Sequence, residues 1–140
     1  MKTRELVGAL AAGAAALAMT ACSTPEPATG GTTATVSIDG QDSGARAVRC
    51  HQTGETWYIE TPERENGFTA VLQTGSDLTA SMVDFRDVDG FTGSFWSDNI
   101  GEARVSGRDG SYTITGTADG TFTGEPSNAV TADFRIQASC

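Results

Sequence analysis

The stretch Arg108-Asp109-Gly110-Ser111-Tyr112-Thr113-Ile114-Thr115-Gly116-Thr117 decides the fold class of this chain of 140 residues. Asp-Gly suits a two-residue hairpin turn, because both central residues of such a turn take positive φ. After the turn, Tyr112 and Ile114 alternate with threonines, which places the apolar side chains on one face of an extended strand. Residues 103–117 are therefore predicted to form a β-hairpin.

The same alternation continues outward from this hairpin in both directions. It predicts strands at 34–40, 46–50, 56–59, 91–96 and 130–140, and residues 68–72 fit either a strand or the start of a short helix. In residues 78–88 the apolar side chains occupy both odd and even positions, so they do not follow a single alternating pattern. No stretch from residue 34 onward keeps a helical period, and the 17 glycines of the chain fit many tight turns. We predict a mainly β domain, either a single antiparallel β-sandwich or a curved open sheet.

The first 21 residues have the features of an export signal that ends at a lipidation site. Lys2 and Arg4 precede an uncharged run rich in Ala, Leu and Gly, which suits a cleaved signal helix and is short for a transmembrane helix. The run ends in Met19-Thr20-Ala21-Cys22, which has the form of a bacterial lipobox. An ordinary secretory signal cut after Ala21 is the alternative. We predict a signal peptide at 1–21 and a palmitate-type lipid anchor on Cys22, which would hold the protein on the extracytoplasmic face of the cell membrane.

Two segments follow the predicted signal peptide. Residues 22–33 are rich in Thr, Pro and Gly and contain no large apolar residue, so they are predicted to form a disordered tether. Residues 34–140 form the predicted β domain. Removal of the leader leaves 7 basic and 17 acidic residues of the original 9 and 18. This acidic balance argues against a nucleic-acid partner, since such partners select clustered basic residues.

Two cysteines remain once Cys22 is assigned to lipidation. Outside the cytoplasm an even number of cysteines usually indicates a disulfide. Cys50 and Cys140 both fall on inward faces of predicted strands, one early and one at the end of the chain, which is consistent with a bridge. The alternative is a reactive Cys50 assisted by His51. That geometry is poor, because adjacent residues of a strand point to opposite faces.

The sequence contains only incomplete versions of other catalytic or metal-binding motifs. His51 is the one histidine of the chain, and there is no Gly-x-Ser-x-Gly elbow. Asp84, Asp87 and Asp89 lack the spacing of a calcium loop, and the acidic residues Glu60, Glu63 and Glu65 flank a predicted turn. We predict a protein that is not an enzyme and that needs no metal or cofactor.

The chain resembles the mycobacterial LpqH lipoprotein antigen family along essentially its whole length. The resemblance rests on the lipobox, the Thr-rich tether, the opening Val36-Ser37-Ile38-Asp39-Gly40, the stretch Val48-Arg49-Cys50, the hairpin quoted above and the final Cys140. It implies a cell-envelope antigen without established enzymatic activity. It further implies lipidation at Cys22, a pair formed by Cys50 and Cys140, and recognition of the acylated N-terminus by host Toll-like receptors.

A hydrophobic cavity that carries an acyl chain or a glycolipid has been suggested for domains of this family. The candidate lining residues in this chain are large and apolar: Trp57, Phe68, Leu72, Met82, Phe85, Phe91, Phe95, Trp96 and Phe122. The same residues could instead form a solid core. The first case predicts a ligand-binding module, and the second an adhesion or interaction protein with a filled interior.

Overall fold

The computed structural model describes residues 32–140, and these form ten β-strands. In chain order they are β1 (Thr33–Ile38), β2 (Gln41–Ala47), β3 (Arg49–Thr53), β4 (Thr56–Glu60), β5 (Gly67–Gln73), β6 (Thr79–Val88), β7 (Phe91–Trp96), β8 (Glu102–Arg108), β9 (Ser111–Phe122) and β10 (Glu125–Ser139). Residues 68–72, which fitted two interpretations, lie in β5. The predicted signal peptide, Cys22 and all but the end of the predicted tether lie outside the described residues. Across residues 32–140, no helix has the length and apolar character needed to cross a bilayer.

The strands form one antiparallel sheet in the order β2-β1-β10-β9-β7-β6-β5-β4-β3, with β8 paired to β9. The prediction of a mainly β, antiparallel domain is confirmed, and of its two alternatives the single curved sheet is the one observed. The sheet curves until it is nearly closed into a barrel-like shape. The two strands at the ends of this order, β2 and β3, are consecutive in the chain and are separated by Val48 alone. One continuous segment therefore pairs with β1 through its first half and with β4 through its second half.

Three of the two-residue turns of the sheet are Asp-Gly pairs. Asp109 and Gly110 take φ values of 54° and 86°, and the flanking residues Arg108 and Ser111 pair directly. This is the two-residue turn predicted from the sequence, in which both central residues have positive φ. The Asp-Gly pairs at 39–40 and 89–90 show the same backbone signs and also join neighbouring strands. Local sequence therefore sets these three connections.

Strict alternation in β9 and β10 builds one wall of the core. Tyr112, Ile114 and Ala118 of β9 are buried, and so are Ala132, Phe134, Ile136 and Ala138 of β10, while their neighbours are partly or fully exposed. Gly116, in the Ile-Thr-Gly-Thr stretch, allows the backbones of β8 and β9 to pack closely. A Cβ atom on Gly116 would lie 1.9 Å from the backbone oxygen of Glu102 in β8, so only glycine lets the two backbones approach so closely.

Two irregularities explain the mixed parity of residues 78–88. The register between β5 and β6 shifts so that Leu72 pairs with Ala80 and Val71 pairs with Met82, which leaves Ser81 as an extra residue. A second shift separates the pairs Phe85–Gly93 and Val88–Phe91 of β6 and β7. Each bulge reverses which parity faces inward. As a result Ala80, Val83, Phe85 and Val88 all face the core.

A disulfide between Cys50 and Cys140 ties β3 to the end of β10. The two Cα atoms are 5.8 Å apart, and 90 residues separate the cysteines along the chain. The strand register brings the two cysteines close together. Thr33 of β1 pairs with Ala47, shortly before Cys50, on one side and with Ser139, next to Cys140, on the other. The backbone N–H of Cys140 also donates to the carbonyl oxygen of Gly110, at 2.6 Å. The bond thus fastens the first strands of the domain to its last residue and to the tip of the β8–β9 hairpin.

Candidate functional site

Aromatic side chains meet across the inside of the curved sheet. The ring of Phe85 in β6 lies 5.2 Å from that of Phe134 in β10, centre to centre, and these strands are separated in the sheet by β9 and β7. Near the disulfide, Trp57 of β4 packs edge-on against Tyr112 of β9 at 5.9 Å. Contacts between strands that are not neighbours can form only through the interior. These rings therefore fill the space that a curved sheet encloses.

The nine residues predicted to line a cavity separate into three groups. Phe68, Leu72, Phe85 and Phe91 are fully buried and Phe95 is almost so. Trp57 and Phe122 are partly buried and pack against that core, with Phe122 5.3 Å from Phe91. Met82 is half-buried on the outer face, and Trp96 is 51% exposed there. The structure thus brings seven of them together as core, whereas Met82 and Trp96 belong to the outside of the sheet.

A surface groove of about 790 Å³ lies where β8 and β6 diverge. Within residues 32–140, β8 has β9 as its one hydrogen-bonded neighbour, so its other edge faces this groove. The floor contains the apolar side chains Leu78, Ala80, Phe95, Ala103 and Val105. Its rim is polar, with Ser97, Asp98, Glu102 and Arg104. Of the nine predicted lining residues only Phe95 contributes to it. The other floor residues were missed because the sequence does not reveal that β8 lacks a second neighbour.

The cysteine and the histidine considered for catalysis point away from each other. The sulfur of Cys50 is bonded to that of Cys140, so no free thiol is available there. His51 is exposed on the outer face, where its ring stacks on Tyr58 at 4.7 Å with an interplanar angle of 8°. A nucleophile and a base must lie within hydrogen-bond reach to cooperate. These two residues do not form such a pair.

The three aspartates of β6 and its following turn also serve separate local contacts. Asp84 accepts a hydrogen bond from Ser94 at 2.8 Å and forms an ion pair with Arg86 at 3.1 Å. Asp87 accepts from the hydroxyl of Thr123 at 3.3 Å, and Asp89 occupies a turn position with φ of 50°. In the described part of the chain, no group of three or more histidine, cysteine or acidic side chains is arranged to hold a metal ion.

One row of side chains on the outer face is unusually apolar for a solvated surface. His51, Tyr58, Val71, Met82 and Trp96 are paired successively across β3, β4, β5, β6 and β7. We call these five residues the outer row. The adjacent row, formed by Cys50, Ile59, Ala70, Val83 and Phe95, faces inward, and all of it but Cys50 is buried. Alternation along each strand therefore places the outer row outside. The sequence did not reveal it, because the bulge at Ser81 hides the parity of Met82.

These features define a class of protein: a small, disulfide-tied antiparallel β domain with a packed interior, whose apolar groups outside the core lie in a surface groove and an outer row. A family model described as "Mycobacterium 19 kDa lipoprotein antigen" matches residues 27–140. The chain belongs to this family, and the predicted resemblance is confirmed.

Several curated mycobacterial proteins are similar to the chain. "Probable lipoprotein LppE" of Mycobacterium tuberculosis (strain ATCC 25618 / H37Rv) is 34% identical over 108 residues, which cover 76% of this chain and 77% of that protein. "Lipoprotein LpqH" of Mycobacterium avium is 33% identical over 107 residues, 75% of this chain and 66% of its own length. A relative from Mycobacterium avium subsp. hominissuis (strain TH135) is 34% identical over 134 residues, 94% of this chain and 92% of its own. The relatives support a role as a membrane-anchored lipoprotein of the cell envelope.

Proposed function

We propose that this protein is a non-enzymatic display module, anchored to the cell membrane through lipid on Cys22, that acts through the outer surface of its β domain. The observation that carries the proposal is the packed interior. Phe85 contacts Phe134 across the sheet, and four of the nine candidate lining residues have no exposed surface. A pocket for a ligand of lipid size needs several hundred cubic ångströms of free volume. Side chains occupy the space in which the family-based cavity was expected.

The anchor follows from the sequence in front of the domain. Cys22 comes directly after Met19-Thr20-Ala21, and the family's members carry lipoprotein names. Each buried methylene adds about 0.8 kcal/mol to membrane binding, so two or more acyl chains hold a protein durably without a transmembrane helix. Such an anchor would place the domain on the extracytoplasmic face. It would also present an acylated N-terminus of the kind that host receptors recognise, as the family resemblance implies.

Replacing Cys22 by Ala is expected to move the protein from the membrane fraction to the medium and to abolish labelling by a palmitate analogue. The physical reason is that Cys22 carries all of the acyl chains in this proposal. Fractionation followed by immunoblotting measures the location, and in-gel fluorescence measures the label. Ser23→Ala is the matched control and should change neither. Membrane retention of the unlabelled Cys22→Ala protein would mean that the leader remains as an uncleaved span.

A second candidate function is transport of an acyl chain or a glycolipid in the groove between β6 and β8. The observation that favours it is the apolar floor beneath the unpaired edge of β8, with a volume of about 790 Å³. In this case the ligand would lie against the surface of the core and not inside it. Arg104 at the rim could then contact a polar head group.

Native mass spectrometry of the full chain purified from its own host distinguishes the two functions. The display module is expected to show the mass of the polypeptide with its covalent acyl groups and nothing more. A carrier would show an additional, non-covalent lipid mass. That extra mass should fall sharply in Val105→Glu, which places a charge on the groove floor, and should persist in the exposed control Gln137→Glu. A lipid adduct with this dependence would replace the first proposal by the second.

A further inference from the structure

We propose that the outer row is the docking site for a cationic amphipathic helix. The proposal rests on the display function above, because it assigns the partner of the same exposed surface. The outer row is continuous, since each of its residues is the direct cross-strand partner of the next, from His51 through Tyr58, Val71 and Met82 to Trp96. Side chains opposite each other on antiparallel strands lie about 5 Å apart. They therefore form one apolar stripe and not scattered contacts.

The two ends of this stripe are its most exposed parts. Trp96 and Ile100 are the large apolar residues that the structure leaves exposed within 32–140, at 51% and 38%, and they pair with each other. At the other end the stacked rings of His51 and Tyr58 extend the apolar surface. Large aromatic side chains supply much of the binding energy at protein interfaces when a partner covers them. Trp96 is the principal anchor in this arrangement.

The charged residues beside the outer row indicate whether a partner should be positively or negatively charged. Three turns, those after β3, β5 and β7, lie at the same end of the sheet and carry Glu55, Asp77 and Asp98. The first two turns touch, because the N–H of Thr74 donates to the carbonyl oxygen of Glu55 at 2.7 Å. We call these three carboxylates the acidic rim. None of them forms an ion pair with a described residue, and the three turns contain no Arg or Lys.

The opposite flank of the outer row is electrically more balanced. There Arg49 lies across from Glu60, and Asp84 is paired with Arg86 at 3.1 Å. The uncompensated charge next to the row is therefore the acidic rim. A partner that covers the row and neutralises the rim must combine apolar with positively charged side chains. A neutral saccharide would leave the rim uncompensated, and an anionic polymer or lipid surface would be repelled.

The dimensions of the outer row favour a helix. Five strands spaced about 4.8 Å apart span roughly 19 Å. An α-helix rises 1.5 Å per residue, so about 13 residues cover this length. Because the row lies on the convex side of the curved sheet, a straight helix would approach it most closely at Val71, in the centre, and would be contacted at the two ends by the larger side chains of Tyr58 and Trp96. Lys or Arg residues beside the apolar stripe of an amphipathic helix would lie over the acidic rim. A second copy of this chain is a poorer match for the acidic rim, because its own residues 32–140 contain 16 acidic and only 7 basic residues.

The test uses the full chain purified in a neutral maltoside detergent and a Trp-free 14-residue peptide of Leu and Lys. The peptide places Leu at helical spacing, and a scrambled peptide of the same composition is the control. Titration calorimetry, with detergent alone as the blank, should show binding of the amphipathic peptide and not of the scrambled one. Trp96→Ser is expected to raise the Kd about tenfold or more. Gln137→Ser, an exposed position on β10, should leave the Kd unchanged.

A second variant isolates the acidic rim. The triple substitution Glu55→Gln, Asp77→Asn and Asp98→Asn should weaken binding at low salt and flatten its salt dependence, because rim charges act mainly through screened attraction. The matched triple Asp109→Asn, Glu125→Gln and Asp133→Asn removes the same charge elsewhere and should do neither. If Trp96→Ser fails to fold, Tyr58→Ser replaces it as the variant of the outer row.

Several outcomes overturn the proposal. These are absence of binding to the wild type, equal binding of the scrambled peptide, and equal affinity of the variants and their controls. Self-association of the wild type that Trp96→Ser abolishes would identify a second copy as the occupant, and binding of a neutral polysaccharide that requires Trp96 would identify a sugar. Membrane anchorage through Cys22 does not enter these measurements. If the peptide does not bind, the proposal of a lipid anchor on Cys22 is unaffected. If the Cys22 experiment fails, the proposal of a docking site at the outer row is unaffected.

Discussion

Reduction of the Cys50–Cys140 bond is expected to destabilise the domain by about 4 to 5 kcal/mol in the loop-entropy model. The magnitude follows from the 90 residues that separate the two cysteines, because a cross-link over a long loop removes much conformational freedom from the unfolded chain. For a domain of this size the melting temperature should fall by at least about 15 °C. Thermal unfolding followed by circular dichroism, with and without a reductant, measures the change.

The Cys50→Ser/Cys140→Ser double variant should reproduce the effect of reduction and should no longer respond to reductant. Cys22→Ser is the matched control, since it removes a cysteine outside the described domain. It should keep the oxidised melting temperature and its full sensitivity to reductant. A double variant that melts with the oxidised wild type would show that hydrogen bonding and packing already close the sheet, with no contribution from the covalent link.

Replacement of Phe85 by Ala is expected to cost about 3 to 5 kcal/mol, because it removes a buried ring and leaves a cavity that the rigid sheet cannot fill. Phe85 has no exposed surface, and its ring contacts Phe91 and Phe134 from two different strands. Chemical denaturation at constant temperature gives the free energy of unfolding directly. The loss should be visible as a lower midpoint with a similar slope.

Trp96→Ala is the matched control for this prediction. It removes an even larger ring, but one that is 51% exposed on the outer face, so the free energy of unfolding should change by much less. Comparable losses in both variants would mean that Trp96 is covered in solution by another part of the chain. A small loss in Phe85→Ala would mean that the interior is loosely packed, and the ligand-carrying function would then regain support.

The aromatic residues show why the core could be anticipated only in part. The sequence identified nine large apolar residues as a cavity lining or a core, and seven of them do lie in or against the core. Met82 and Trp96 share the apolar character of the other seven but lie on the outer face. The side of Met82 depends on the extra residue Ser81, which interrupts the alternation between Ala80 and Val83. Trp96 directly follows the buried Phe95 in β7, and adjacent residues of a strand point to opposite faces.

By itself, the sequence determined the local features of this protein. The Asp-Gly turns, the alternation in β9 and β10, the antiparallel β class and the family could all be predicted, because each depends on residues close together in the chain or on a recognisable motif. The tertiary structure alone decided the closure of the sheet through consecutive strands β2 and β3, the free edge of β8 above its groove, and the register that aligns the outer row. These features depend on which distant strands pair and in what register. That choice is made by the packing of the whole core, which no single segment of the sequence specifies.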